Sequence, residues 1–245
     1  MTKAIETAAL TRRFGDCLAV DALELEIEHG ELFTLLGVNG AGKTTTIRML
    51  SCLLRPSSGD ARMYGSSVVT ETAEAKKKIN ISPQETAIAG NLSVRENLEL
   101  VAGLYGCGRR EAASRAEEML KTFGIVDKAV TKASKLSGGQ QRRLSIAMAL
   151  ITRPEILFLD EPTLGLDVLA RRELWRTVEK LKGHVTIILT THYMEEAEAL
   201  SDRVGVMVSG RLLSVGTPAE LIERTGAKSF EEAFISIVEG EKNKE

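Results

Sequence analysis

The 245-residue chain lacks several things, and each absence excludes a class of protein. No apolar run approaches the ~20 residues that a helix needs to cross a bilayer, which excludes a helical membrane span. The start, Met1-Thr2-Lys3-Ala4-Ile5-Glu6, has no apolar stretch of the kind that marks a secretory signal. Three cysteines, Cys17, Cys52 and Cys107, are odd in number and far apart, which argues against a disulfide framework or a metal cluster. Cys52 reads as a small core residue. Charge of either sign is not in excess: 32 Lys and Arg stand against 34 Asp and Glu, for a net charge of −2. That balance excludes broad electrostatic attraction to nucleic acid. Internal repeats and low-complexity stretches are missing too. The expectation is a soluble cytoplasmic protein whose 43% hydrophobic content fills one large core, or a core with a small subdomain.

What is present is concentrated at Gly37-Val38-Asn39-Gly40-Ala41-Gly42-Lys43-Thr44, which fits the phosphate-binding pattern G-x-x-x-x-G-K-[ST]. The apolar run Leu32-Phe33-Thr34-Leu35-Leu36 before it reads as a buried strand. After it, Thr45-Thr46-Ile47-Arg48-Met49-Leu50 continues as a helix without Gly or Pro. In that context the glycines let backbone N–H groups turn inward around a β-phosphate, and the helix points its positive end at the same anion. Lys43 reaches the β- and γ-phosphates, and the Thr44 hydroxyl holds Mg²⁺. The motif predicts a nucleoside triphosphate as ligand.

Period-two alternation of Leu23, Leu25 and Ile27 with Glu24, Glu26 and Glu28 predicts a strand with one wet face. A half-exposed strand beside the buried one at 32–36 suggests an antiparallel flap on a parallel core. From about 85 to 135 apolar strands give way to helical signals. Ser93-Val94-Arg95-Glu96 is a capping box opening a helix to about Tyr105, and Arg109 to Phe123 forms another, ended by Gly124. Strands resume at 156–159 and 185–189, separated by a helix near 169–182, an order that implies parallel pairing. Val204–Val208 and Arg211–Val215 flank Ser209-Gly210 as a hairpin. Thr217-Pro218-Ala219-Glu220 caps a short helix, Ser229-Phe230-Glu231-Glu232 opens a last one, and the polar tail Glu239–Glu245 is expected to fray.

Ile156-Leu157-Phe158-Leu159 ends in two carboxylates, Asp160 and Glu161. At the carboxyl end of a strand Asp160 can supply the anionic oxygen that Mg²⁺ needs, and Glu161 can orient an attacking water. In Leu136-Ser137-Gly138-Gly139-Gln140, a serine and two glycines precede the helical run 141–151 and make a second anion-binding helix start. One phosphate loop has little use for a second γ-phosphate cradle in the same site, so this cradle makes sense against nucleotide held by another copy.

With that pentapeptide the sequence resembles the nucleotide-binding subunits of ABC transporters, over nearly its whole length. The resemblance implies an α/β fold, a P-loop NTPase (RecA-like) parallel-sheet core with an antiparallel β subdomain and an inserted α-helical subdomain. It implies a core at about 1–84 and 152–225, a helical signature subdomain at about 85–151, and a short C-terminal helix and tail at about 226–245. It places Gln84, in Ile81-Ser82-Pro83-Gln84-Glu85, in the loop that touches Mg²⁺ and the attacking water and senses the membrane partner. Leu164-Gly165-Leu166-Asp167 matches the loop that crosses the dimer interface, with Leu164 where Ser is more usual. His192, in Thr190-Thr191-His192, matches the switch histidine on the γ-phosphate, and Phe14 the aromatic that stacks on adenine, usually a Tyr. Val38 stands where Pro is common, at a position that supplies backbone. His29, His184 and Trp175 read as structural.

The implied chemistry is ATP hydrolysis at two composite sites in a head-to-tail pair. Gly37 to Thr45, Gln84, Asp160, Glu161 and His192 of one copy face Ser137, Gly138, Gly139, Gln140 and Asp167 of the other. A separate membrane permease is implied as partner, docked beside Gln84 and Glu85–Ser93, which sets the subunit at the inner face of the cell membrane. The block Gly37–Leu54 and the tail Ser229-Phe230-Glu231-Glu232-Ala233-Phe234 look like drug-exporter-type subunits. Cargo of that type is drug-like, lipid or ionic. The alternative is a soluble ABC-type ATPase, as in iron–sulfur assembly. DNA-repair members are set aside because no long coiled coil fits between Lys43 and Ser137, and ribosome-acting members because they carry two such domains.

Overall fold

In the computed structural model, which describes residues 2–242, the chain begins with a long strand, β1 (Lys3–Phe14), and returns along it as β2 (Cys17–Leu23) and β3 (Glu26–Glu28). The alternating segment 23–28 is thus two strands rather than one. Thr7 of β1 is the cause: its hydroxyl donates to the Leu23 carbonyl at 2.8 Å and accepts the Leu25 N–H at 2.7 Å. A side chain replaces the ladder there, yet Leu23, Leu25 and Ile27 stay buried while Glu24 and Glu26 stay exposed. The chain then leaves for a second sheet as β4 (Leu32–Leu36), followed by α1 (Lys43–Leu50). It returns to the first sheet as β5 (Ser58–Met63) and β6 (Ser66–Ser67). The first sheet is antiparallel, in the order β2-β1-β5-β6 with β3 beside β1.

Next come α2 (Thr72–Lys78), a short strand β7 (Ile79–Ser82), and three helices, α3 (Val94–Leu104), α4 (Arg109–Thr122) and α5 (Gly138–Leu150). The capping box at α3 is realised, Ser93 Oγ accepting Glu96 N–H at 3.2 Å and Glu96 Oε2 accepting Ser93 N–H at 2.7 Å. Helix α5 begins three residues ahead of the expected run, because Ser137 and Gln140 form a second capping box. The chain continues as β8 (Ile156–Asp160), α6 (Val168–Glu179), β9 (Thr186–Thr191), α7 (Met194–Leu200), β10 (Arg203–Val208) and β11 (Arg211–Gly216). The second sheet has the order β11-β10-β4-β9-β8-β7, parallel throughout except for the antiparallel edge hairpin β10–β11. With the glycine-rich loop, parallel core, antiparallel flap and helical insertion in these positions, the fold is that of a P-loop NTPase.

Every residue of β4, β8 and β9 is buried. These strands read as continuous apolar runs because both faces are covered. Leu157, Leu159, Ile187 and Leu189 pack against α3–α6, whereas Ile156, Phe158 and Ile188 pack with Phe33, Ile47 and the first sheet's Ile5 and Ile27. The two sheets are pinned by Arg203, whose guanidinium meets both Glu31 oxygens at 2.8 and 2.9 Å and the Glu26 carbonyl at 2.8 Å.

Two helices close the chain, α8 (Pro218–Thr225), with its expected Thr217 cap, and α9 (Phe230–Lys242). The expectation that the tail frays from Glu239 is corrected: α9 runs on to Lys242. Phe230, Phe234, Ile237 and Val238 hold it against Leu221 and Val204 almost to that point. The last part of the expected tail, 243–245, lies outside the described residues.

Phe158 has no exposed surface and spans the layer between the sheets. Phe158→Ala is expected to cost about 3–5 kcal/mol through lost transfer energy and the cavity left behind. Urea unfolding checks this as a lowered midpoint with an unchanged slope.

Candidate functional site

Parallel pairing sets the ends of β4, β8 and β9 side by side. Leu36 pairs with Thr191, and Asp160 with Thr190. The residues just past each strand therefore emerge at one edge. There Gly37–Gly42 wraps into the head of α1. The loop is tight enough to demand its glycines. A Cβ on Gly37 would collide with the Met207 carbonyl, and Gly42, at φ 101°, would place one 2.5 Å from the Ala19 carbonyl.

The loop opens on a cavity of about 620 Å³ lined by Asn39, Gly40, Ala41, Gly42, Lys43, Thr44 and Thr45. Gln84, Glu161 and His192 join that lining from the ends of β7, β8 and β9. Lys43 is buried; its Nζ donates to the Gly37 and Val38 carbonyls at 2.6 and 3.2 Å and lies 3.3 Å from Glu161 Oε1. The other Glu161 oxygen, Oε2, is 2.8 Å from His192 Nδ1. Glu161 itself has φ 46°, an uncommon backbone for a non-glycine residue of the kind that concentrates at functional sites. Its N–H is held by Thr190, to the carbonyl at 3.1 Å and to the hydroxyl at 3.0 Å.

Asp160 lies just under the cavity, with Oδ1 accepting the Thr190 hydroxyl at 2.6 Å and the Thr44 hydroxyl at 3.2 Å. Thr44, Asp160 and Gln84 offer only oxygen and amide donors, the hard set that Mg²⁺ prefers. Among the described residues no group of three His, Cys, Asp or Glu forms a cation cage.

Not every residue singled out in the sequence meets this cavity. Phe14 and Val38 are about half exposed and do not line it; Phe14 is stacked under the Arg12 guanidinium at 4.4 Å and pairs with Cys17, which does line it. Ser137, Gly138, Gly139 and Gln140 form the first turn of α5, outside this chain's own cavity. Asp167 caps α6 by accepting the Ala170 N–H at 2.9 Å, also outside it. Cys17, Leu18 and Ala19 line the cavity without a sequence signal to announce them, and Leu164, Ser209 and Gly210 join them from segments the sequence marked for other reasons. They arrive through tertiary packing, the 209–210 turn being clipped to the loop by Gly210 N–H on the Ala41 carbonyl at 3.0 Å.

Two buried charges near the edge also escaped the sequence. Arg142 sits on α5 and Glu196 on α7, neither in a motif that periodicity singles out. Glu196 accepts Trp175 Nε1–H at 3.0 Å and the Thr163 hydroxyl at 3.1 Å. Burial pushes its carboxyl above the ordinary value and the nearby Glu161 adds to that, against the hydrogen bonds from Thr191, Trp175 and Thr163.

A phosphate loop at the head of a parallel sheet, with paired carboxylates on the next strand but one, defines a nucleoside-triphosphate-binding protein. Comparison gives the family. The family model described as ABC transporter matches residues 20–164. The daunorubicin resistance ATP-binding protein DrrA3 of Streptomyces coeruleorubidus is 44% identical over 224 residues, 91% of this chain and 71% of that protein. The linearmycin resistance ATP-binding protein LnrL of Bacillus subtilis is 39% identical over 233 residues, 95% of this chain and 75% of that one. Among solved structures, an ATP-binding subunit of an ABC transporter superposes with a TM-score of 0.85 at 25% identity, covering 96% of this chain and 99% of its own. A dimeric ATP-binding cassette in a post-hydrolysis state, bound to ADP and Pi, gives 0.78 at 27% identity over 87% of this chain and 98% of its own. The chain belongs to the ABC transporter family and is an ATP-binding, ATP-hydrolysing subunit of transport. These relatives support transport and not the iron–sulfur alternative. Among the described residues no helix is long and apolar enough to cross a membrane.

The raised carboxyl of Glu196 has a measurable consequence. A group whose folded-state value lies above its unfolded one adds stability at low pH and loses it as pH rises through the folded value. Wild type should therefore lose more stability than Glu196→Gln as pH rises from the ordinary carboxylate range toward neutrality. Thermal melting of both proteins across pH 4–8 checks this as a gap that grows and then levels.

Proposed function

We propose that this chain is the ATPase of an exporter, closing on ATP with a second ATPase chain and driving a separate permease. The observation that carries the reading is the Glu161 carboxylate, set in the phosphate-loop cavity with one oxygen on Lys43 and the other on His192. Gly37 to Thr45 would cradle the phosphates, with Lys43 on the β- and γ-oxygens. Glu161 would orient a water and accept its proton as the water oxygen bonds to the γ-phosphorus and the bond to the ADP oxygen breaks. His192, already on Glu161, would hold that carboxylate and reach the γ-phosphate. Thr44, Gln84 and Asp160 would hold Mg²⁺, which when bound neutralises charge on the phosphate oxygens. Phe14 would stack on adenine from the strand that carries it beside Cys17.

Ser137, Gly138, Gly139, Gln140 and Asp167 lie outside their own chain's cavity, which supports their service to a partner's nucleotide. ATP would then join the two chains, since its γ-phosphate gains donors from both. Within one chain we assign residues 1–84 and 152–225 to the catalytic core, 85–151 to the helical subdomain and 226–245 to the terminal helix and tail. The permease would dock beside Gln84 and Glu85–Ser93, placing the subunit at the inner face of the membrane. The cargo would be drug-like, lipid or ionic, and relatives whose names record resistance to daunorubicin and linearmycin support the drug-like class.

Glu161→Gln should keep ATP binding, lose about 10²–10³ or more in turnover, and trap an ATP-dependent dimer. Steady-state hydrolysis and size-exclusion chromatography with and without ATP check this, and normal turnover would remove Glu161 from the role. Co-purification of the tagged chain from detergent-solubilised native membranes should bring down a polytopic protein. A preparation with no membrane partner would overturn the coupling to a permease.

A further inference from the structure

The short strand β7 is the edge of the parallel sheet, paired on one side by β8 alone. Its last ladder residue is Ser82, opposite Leu159, so the carbonyls of Pro83 and Gln84 leave the sheet with no strand to receive them. One side chain takes both. Arg142 Nη1 donates to the Pro83 carbonyl at 2.6 Å, and Nη2 donates to the Gln84 carbonyl at 2.5 Å. The same Nη2 reaches the Glu161 carbonyl at 3.4 Å. Arg142 is buried, with 5% of its surface exposed, and a turn further along the same face of α5 the Ser145 hydroxyl meets that of Ser82 at 2.9 Å. Helix α5 is thus fastened to the end of β7 at two successive turns.

Arg142 also lies on the helix that Ser137 and Gln140 open. Its planar fork is suited to three diverging carbonyls, which a lysine ammonium on a flexible stem cannot span in one fixed geometry. Burial lowers the guanidinium from its ordinary range while Asp160 and Glu196 oppose the shift.

We propose that Arg142 is a positioning residue that makes the signature helix, the Gln84 loop and the Glu161 backbone move as one body. Its consequence for turnover rests on the two-chain reading of the site. A chain's signature serves its partner's nucleotide while its Gln84 and Glu161 serve its own, so Arg142 joins the two sites through the interior of one chain. Engagement of Ser137 at the partner's phosphate then sets the position of Gln84 and Glu161 at home, which makes hydrolysis cooperative in ATP.

The test compares Arg142→Lys and Arg142→Gln with wild type in the full chain, using MgATP throughout. Both variants should bind a fluorescent ATP analogue and show KM within about twofold of wild type. Their kcat should fall roughly tenfold to a hundredfold, the scale of a small misplacement of reacting groups. The Hill coefficient for ATP should fall toward one. Arg142→Lys keeps the charge and should keep the melting temperature closer to wild type without restoring kcat. Wild-type kcat and Hill coefficient in Arg142→Lys would overturn the proposal. So would a kcat loss in both variants that merely tracks matched losses of ATP binding and melting temperature. Glu161→Gln separates the premises: if it forms no ATP-dependent dimer, the two-chain reading fails, and the kcat-against-KM split of the Arg142 variants still decides the positioning role.

Discussion

Parallel hydrogen bonding of β4, β9 and β8 is the constraint on which the rest of the molecule depends. Three strands that run the same way deliver their C-terminal loops to one edge. The phosphate loop, the Asp160-Glu161 pair and His192 come from sequence positions far apart, yet Leu36 faces Thr191 and Asp160 faces Thr190 in the ladder. Parallel strands need long crossovers, and here these are the helical layer on one face and the antiparallel sheet on the other. The crossovers bury both faces of the strands, so the sheet is stiff where the chemistry is placed. Position at the edge is set by register rather than by any contact among the site residues themselves.

That edge gathers an unusual density of buried charge. Lys43, Asp160, Glu161, Arg142 and Glu196 are all less than a tenth exposed. Isolated, each would be expensive to bury, and each is met by a partner or by hydrogen bonds. Lys43 is shared between loop carbonyls and Glu161, Asp160 is held by two threonine hydroxyls, and Arg142 is occupied by backbone carbonyls. The apolar layers above and below supply the stability that lets such a cluster persist. Because the partners belong to different elements, a change at one is felt at the others.

The separation of the signature turn from its own chain's cavity is the other organising fact. Helix α5 starts outside the cavity, at Ser137, and runs inward to Arg142 and Ser145 under the loop that bears Gln84. The turn proposed to meet another chain and the loop proposed to meet nucleotide are thereby tied to one helix. The proposed coupling would run through α5, a hydrogen-bonded element fastened at two successive turns to the end of β7.

Much of this was legible in the amino-acid sequence because the signals are local. The phosphate loop, the capping box at Ser93, the Thr217 cap, the apolar runs of β4, β8 and β9, and the Ser209-Gly210 hairpin each arise from a few adjacent residues. Their φ preferences, period or caps decide the conformation before any packing occurs. The break in 23–28 was not legible, since it depends on a Thr7 hydroxyl from another strand. Nor was the extent of α9, which is held by apolar contacts to α8 and β10. The cavity wall at Cys17, Leu18, Ala19 and Ser209, and the roles of Arg142 and Glu196, needed the tertiary structure as well. A lone Arg on a helix or Glu after a histidine carries no pattern; its part is set by which carbonyls and hydroxyls the fold brings within 3 Å or so. Sequence by itself thus determined which groups this protein has for binding a triphosphate, while the register of a parallel sheet decided where they stand and how they are connected.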